Sequence, residues 1–122
     1  MYSIYIEGKF AMGILYWSKD VILVDLPRKL QEHDELQEVI EMVRTRRDCS
    51  VIVDFSRVDV AACTTLTRLL TLRRVLLDRR QKLILCNVAT ATKGVFTITR
   101  LDEVLDFVKD KFTALAQFHI AG

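Results

Sequence analysis

Histidine, proline, glycine and cysteine are all scarce in this 122-residue chain, and each scarcity removes a class of function. Only His33 and His119 carry an imidazole, and no HExxH spacing joins them to acidic partners, so no histidine-based metal or acid–base motif is present. His33 lies beside acidic residues and His119 near the end of the chain, and both are expected as solvent-exposed side chains. Cys49, Cys63 and Cys86 are odd in number and lack a CxxC pair, which argues against a disulfide framework, a zinc ribbon or a thioredoxin-type site. One proline and four glycines leave little material for linkers or disorder. There is no GxxxxGK[ST] loop, no GxGxxG and no GxSxG elbow.

Long apolar runs are missing too. Val21 to Val24 is strand-sized, far short of the ~20 residues that cross a bilayer. The opening MYSIYIEGKFAMG carries Glu7 and Lys9 and has no basic leader, which predicts a cytoplasmic protein with reduced thiols. The net charge of +2 balances 18 basic against 16 acidic side chains, too evenly to imply a nucleic-acid partner. What remains, 51% hydrophobic and 28% charged, describes one folded domain over residues 1–122, expected to be non-enzymatic and to need neither cofactor nor metal.

The patterning predicts an α/β fold. Gly13 to Trp17 and Val21 to Leu26, separated by Ser18-Lys19-Asp20, read as a hairpin. Asp34 with Gln37 three residues later resembles a capping box, and Leu36, Val39, Ile40 and Val43 follow helical spacing, predicting a helix over 34–47. Val51 to Phe55 and Lys82 to Val88 are nearly continuous apolar runs, the mark of parallel strands covered on both faces. Between them Leu66, Leu69, Leu70, Arg73, Leu76 and Leu77 fall on a helix with Arg68, Arg74, Asp78 and Arg79 outward, giving a right-handed crossover. Over 89–100, Thr90 or Thr92 is available as a cap, but Gly94 and the β-branched Thr97, Ile98 and Thr99 weaken a helix. Leu101, Val104, Leu105, Val108, Phe112 and Leu115 keep the spacing of one terminal helix, with Asp102, Glu103, Asp106 and Asp110 on its wet face. Residues 1–12 read as an added edge strand.

Two local features concern partners. Arg73, Arg74, Arg79, Arg80 and Lys82 form the densest basic group, read as a helix end complementing its dipole or as a binding patch. The loop after the strand at 51–55 lies at that strand's carboxyl end, where open α/β sheets place their working surface, and Cys63-Thr64-Thr65 fall around the first turn of the next helix.

At this segment the residues resemble a family. Val51-Ile52-Val53-Asp54-Phe55-Ser56-Arg57-Val58, followed by Val60 to Leu70, is similar to the STAS pattern VVxDLSxVxFIDSSGLGALL. Lys82 to Val88 resembles the family's RLVLVNV strand, and Leu101 to Leu105 its LDEVF segment, so the likeness spans about residues 20–116. It implies a single STAS-like domain with a mixed, mostly parallel sheet and intervening helices. It also implies a regulatory, protein-binding role as an anti-sigma factor antagonist of a bacterial signalling pathway that governs transcription. Binding would run through the loop and helix over 59–80 to an anti-sigma factor or kinase-fold regulator, with Asp59, Ala61, Thr67 and Arg68 as contact candidates. The alternative is a soluble STAS accessory subunit of a transport or lipid-trafficking complex. For the chain's end, the likeness implies a short edge segment over 104–108 and a final helix starting near Asp110, which could cap it.

The family's DSSG tetrapeptide, whose first Ser is the usual phosphoacceptor, is here Ala62-Cys63-Thr64-Thr65, different at every position. Three readings stay open. Thr64 or Thr65 takes over as acceptor; the loop is never phosphorylated; or Cys63, at a helix start near Arg57 and Arg68, is a redox-sensitive thiol.

Overall fold

The apolar runs and periodic segments assemble into one six-stranded sheet with helices on both faces. The computed structural model describes residues 2–6, 9–18, 20–26, 35–46, 48–58 and 63–118, and the side chains of these except residues 2–6, 9–13, 15–17 and 63. Strands β1 (Tyr2–Ile6), β2 (Lys9–Ser18), β3 (Val21–Asp25), β4 (Ser50–Asp54), β5 (Leu83–Cys86) and β6 (Asp106–Val108) lie in the spatial order 1-2-3-4-5-6. β1, β2 and β3 are antiparallel neighbours, whereas β3 through β6 are parallel. The predicted hairpin is present: Ser18 stands opposite Val21, and the Asp20 N–H donates to Ser18 Oγ at 3.2 Å. β1 is the edge strand expected from residues 1–12.

Helices α1 (Glu35–Thr45), α2 (Cys63–Asp78) and α3 (Thr90–Ile98) connect the parallel strands, and α4 (Lys111–Ala116) follows β6. Each crossover steps the same way across the sheet, so right-handed connections send α1, α2 and α3 to one face. The burial agrees. Val24, Val51, Val53, Leu83 and Leu85 share a core with Leu36, Val39, Ile40 and Val43 of α1, Leu69, Leu72, Val75 and Leu76 of α2, and Phe96 of α3. The alternate residues Val21, Leu23, Ile52, Ile84 and Cys86 pack on the other face with Ala114 and Leu115 of α4. That is why these strands are apolar at every position rather than at every second one.

Several expectations need correction. On α2 the buried stripe is Leu69, Leu72, Val75 and Leu76, while Leu70 and Leu77 are exposed, because a helix rich in leucine all round offers more apolar positions than one contact stripe covers. Neither Thr90 nor Thr92 caps α3: Ala89 holds the N-cap position without a side-chain bond, and Thr92 is buried. That helix forms despite poor propensity because Phe96 is fully buried in the core; the Thr97 and Thr99 hydroxyls satisfy themselves on the Lys93 and Val95 carbonyls at 3.0 and 2.8 Å.

The last stretch is not one helix, as spacing alone predicts, but is divided as the family likeness implies. A 3-10 turn at Leu101–Glu103 gives way to β6, and Asp110 caps α4 by accepting from the Thr113 N–H at 2.8 Å. Leu105 and Phe107 pack on one face of the sheet and Val108 on the other, a two-residue period concealed within helical spacing. Asp102, Glu103, Asp106 and Asp110 accordingly lie on a turn, a strand and a cap, not on one helix face. Asp34, and with it the predicted cap of α1, lies outside the described residues, as do His33 and His119.

Phe96 joins the crossover helices to the edge of the sheet. Its ring meets Phe55 edge-on at 6.2 Å and Phe107 at 5.2 Å between centroids. Phe96→Ala should lower unfolding free energy by about 3–5 kcal/mol, measured by urea denaturation. Gly94 is exposed in α3, and a β-carbon there would meet nothing within 4 Å. Gly94→Ala is therefore expected to raise stability by about 0.5–1 kcal/mol in the same assay.

Candidate functional site

The carboxyl end of the parallel strands is organised around one buried carboxylate. Asp54, only 3% exposed, closes β4, and one neighbouring group and two from distant parts of the chain converge on it. Its Oδ1 accepts from the Ser56 N–H at 2.8 Å and from Asn87 Nδ2 at 3.1 Å. Lys111 Nζ lies 3.3 Å from its Oδ2 and 3.4 Å from Oδ1 of Asp25, at the end of β3. Asn87 presents its amide from a left-handed backbone, φ 56°, a conformation asparagine tolerates better than most residues. One ammonium thus ties the ends of β3 and β4 to the first residue of α4.

The charges respond accordingly. Burial alone would raise the Asp54 carboxyl, but the Ser56 N–H, the Asn87 amide and Lys111 outweigh it and hold the group below its usual value. Asp25 is raised, chiefly by burial and also by the nearby Asp54 charge, with Lys111 opposing. Burial opposes the charge on Lys111, yet the two carboxylates prevail and its value is raised.

This network fixes where the next loop begins. The Ser56 N–H is held by Asp54, the Phe55 N–H donates to the Cys86 carbonyl at 2.9 Å, and the Val58 N–H closes a turn onto the Phe55 carbonyl at 2.9 Å. Ser56 and Arg57 are exposed at the loop entrance while Phe55 and Val58 are buried beneath them. At the far side of the loop α2 begins at Cys63. Thr64 is exposed, Thr65 is buried at 4%, Thr67 is exposed and Arg68 half-buried. Asp59, Ala61, Ala62 and the Cys63 side chain lie outside the described residues.

The described thiols, Cys49 and Cys86, are buried, and burial raises both, Cys86 to about 12, so neither offers a reactive thiolate. Among the described residues, no helix is long and apolar enough to cross a membrane, and no group of three His, Cys, Asp or Glu side chains could hold a metal. Among the described strands the order advances without reversal, so the sheet has no topological switch point.

Sequence reasoning singled out the α2 start but missed Asp25, Asn87 and Lys111. Their only signal is an acid closing each of two neighbouring strands, since the pairing spans up to 86 residues, from Asp25 to Lys111.

The architecture is shared with solved structures. The chain is similar to the Bacillus protein SpoIIAA, an anti-sigma factor antagonist, in its unphosphorylated form (TM-score 0.70, 15% identity, covering 89% of this chain and 97% of that one) and in its phosphorylated form (0.67, 15%, 87% and 97%). It is also similar to a point variant of RsbS from Moorella thermoacetica (0.69, 16%, 87% and 95%). An anti-sigma-factor antagonist (STAS) domain protein from Planctomyces limnophilus is a third (0.65, 19%, 80% and 89%). No protein-family model and no curated protein matches the sequence. At these identities the likeness establishes the fold, which is that of a STAS domain.

The Asp54 network should show in the pH dependence of stability. Asp54 is held below 3.8, so its contribution is complete above that value and fades as pH falls through its folded value. Asp25, raised above 3.8, acts in the opposite sense, its proton favouring the fold. Lys111 contributes fully below 10.5 and loses its contribution as pH rises through its folded value. Asp54→Asn should therefore flatten the fall in urea midpoint below about pH 4. Lys111→Met should cost about 1–2 kcal/mol at neutral pH, a modest figure because Lys111 and Asp25 are partly exposed.

Proposed function

We propose that this chain is a non-enzymatic regulatory STAS domain that acts as an anti-sigma factor antagonist. It binds an anti-sigma factor or kinase-fold regulator through the loop and helix over residues 59–80. The observation that carries the reading is the placement of an exposed Thr64, followed by Thr67 and Arg68, on the first turns of α2, after a loop whose start is pinned by Asp54. A rigid scaffold presenting a polar surface at the carboxyl end is what docking on another protein requires. The antagonist neighbours favour this reading over an accessory subunit of a transport complex.

Regulation follows the same surface. SpoIIAA exists in unphosphorylated and phosphorylated forms. Of the two threonines at the acceptor segment, Thr64 is exposed to a kinase, whereas Thr65 would have to leave the core first. A phosphate on Thr64 would add about −1.5 to −2 charge at the interface and weaken binding.

Calorimetric titration with a kinase-fold anti-sigma factor from the same organism tests the binding role. Thr64→Asp and Cys63→Asp should each weaken binding at least tenfold, while Glu41→Gln, on the exposed side of α1, should leave it unchanged. Equal affinities for all variants would place the interface elsewhere. Incubation with ATP and that partner should add roughly 80 Da to the intact mass, the mass of one phosphoryl group, and Thr64→Ala should abolish the gain.

A further inference from the structure

The opposite end of α2 carries a second feature that the loop at residues 59–68 does not use. A groove of 280 Å³ lies between the last turns of α2, the start of β5 and the approach to β6, lined by Arg73, Leu76, Leu77, Lys82, Val104 and Leu105 among others. Leu77 and Val104 are 53% and 42% exposed, so apolar side chains stand open to solvent on both walls. The walls are tied together: Arg73 Nε donates to the Val104 carbonyl at 2.8 Å.

Besides Arg73, the cations Arg74, Arg80 and Lys82 stand in or beside the groove and are not consumed by the fold. Among the described residues no carboxylate pairs with Arg74, Arg80 or Lys82, all exposed. Of the residues lining the groove, Arg73 and Lys82 are basic and Asp106 is acidic; Arg74 and Arg80 adjoin the lining in sequence, as do the acids Asp78, Asp102 and Glu103. Arg80 is informative for a second reason. The Arg80 and Gln81 N–H groups close α2 onto the Leu77 and Leu76 carbonyls at 3.0 and 2.8 Å, the Schellman arrangement. This puts Arg80 at the left-handed position, φ 58°, which glycine occupies with least strain. A bulky cation stands where the backbone prefers no side chain, beside an apolar groove.

We propose that this groove is a second docking surface, for an acidic segment of a partner protein that carries an aliphatic or aromatic anchor. The anchor fills the space between Leu77 and Val104, and the segment's carboxylates meet Arg74, Arg80 and Lys82. The surface lies at the amino end of β5 and β6 and α2 spans the distance between it and the loop, so one domain can hold two proteins at once. The assignment does not rest on the reading of the Thr64 surface.

The test uses the full chain and a fluorescein-labelled peptide of glutamates flanking one phenylalanine, followed by anisotropy. Saturable binding is expected. It should weaken at least tenfold with Leu77→Asn, with Arg80→Gly combined with Lys82→Gln, and with a peptide whose glutamates are replaced by glutamine, and Thr64→Asp should leave it unchanged. Melting curves accompany each variant. Arg80→Gly relieves the left-handed backbone and should not lower the melting temperature, so the rim variant remains informative if Leu77→Asn fails to fold. Absence of saturable binding, or binding indifferent to the groove and rim variants, overturns the proposal. So does a dimer in sedimentation that buries the groove against a second copy, or preferential binding to phosphatidylglycerol vesicles lost in the same variants.

Discussion

The arrangement of this molecule depends on a constraint of connectivity: every strand lies beside its neighbour in sequence, and the parallel strands advance across the sheet in one direction. Right-handed crossovers then leave no choice of side for α1, α2 and α3. The opposite face is left to α4, six residues long, whose Ala114 and Leu115 cover Ile52, Ile84 and Cys86. A sheet built this way has two unlike faces and two unlike ends, and everything functional proposed for it concerns the ends.

The carboxyl end depends on Asp54. A carboxylate so deeply buried would be costly if left unpaired, and its backbone, amide and ammonium partners come from the loop after β4, the turn after β5 and the start of α4. One side chain therefore sets the departure of the β4–α2 loop and the docking of the last helix together. The same geometry leaves Thr64 outside and Thr65 inside within a single turn, which gives the degenerate Ala62-Cys63-Thr64-Thr65 segment a polarity its letters do not reveal.

Much of the fold was legible because burial writes itself into the strands. The unbroken runs Val51 to Phe55 and Leu83 to Cys86 are what a sheet covered on both faces requires, and the Leu36, Val39, Ile40, Val43 spacing is what one buried helix face requires. Legibility failed where two periods coincide. Leu101, Leu105, Val108, Phe112 and Leu115 satisfy helical spacing, yet Leu105, Phe107 and Val108 satisfy strand alternation equally well, and pairing with β5 decides the matter. Family likeness resolved that stretch where periodicity could not. At the site, local sequence located the α2 start, but the convergence of Asp25, Asn87 and Lys111 on Asp54 is a product of topology and leaves no local pattern. The groove was half-legible: the basic residues were visible as a cluster, but Leu77 read as core, which hid the apolar opening beside them.

The neighbour-by-neighbour strand order also bears on how the chain finds this structure. Each strand–helix–strand unit closes a loop of modest length onto a surface already formed, so the sheet can grow outward from β4 without waiting for distant segments to meet. The exception is α4, whose Lys111 must return from the far edge to Asp25 and Asp54. The charge clamp at the carboxyl end, like the packing of Ala114 and Leu115 on Ile52 and Ile84, is a contact that only a nearly complete chain can make, so it closes late and reports that assembly is finished.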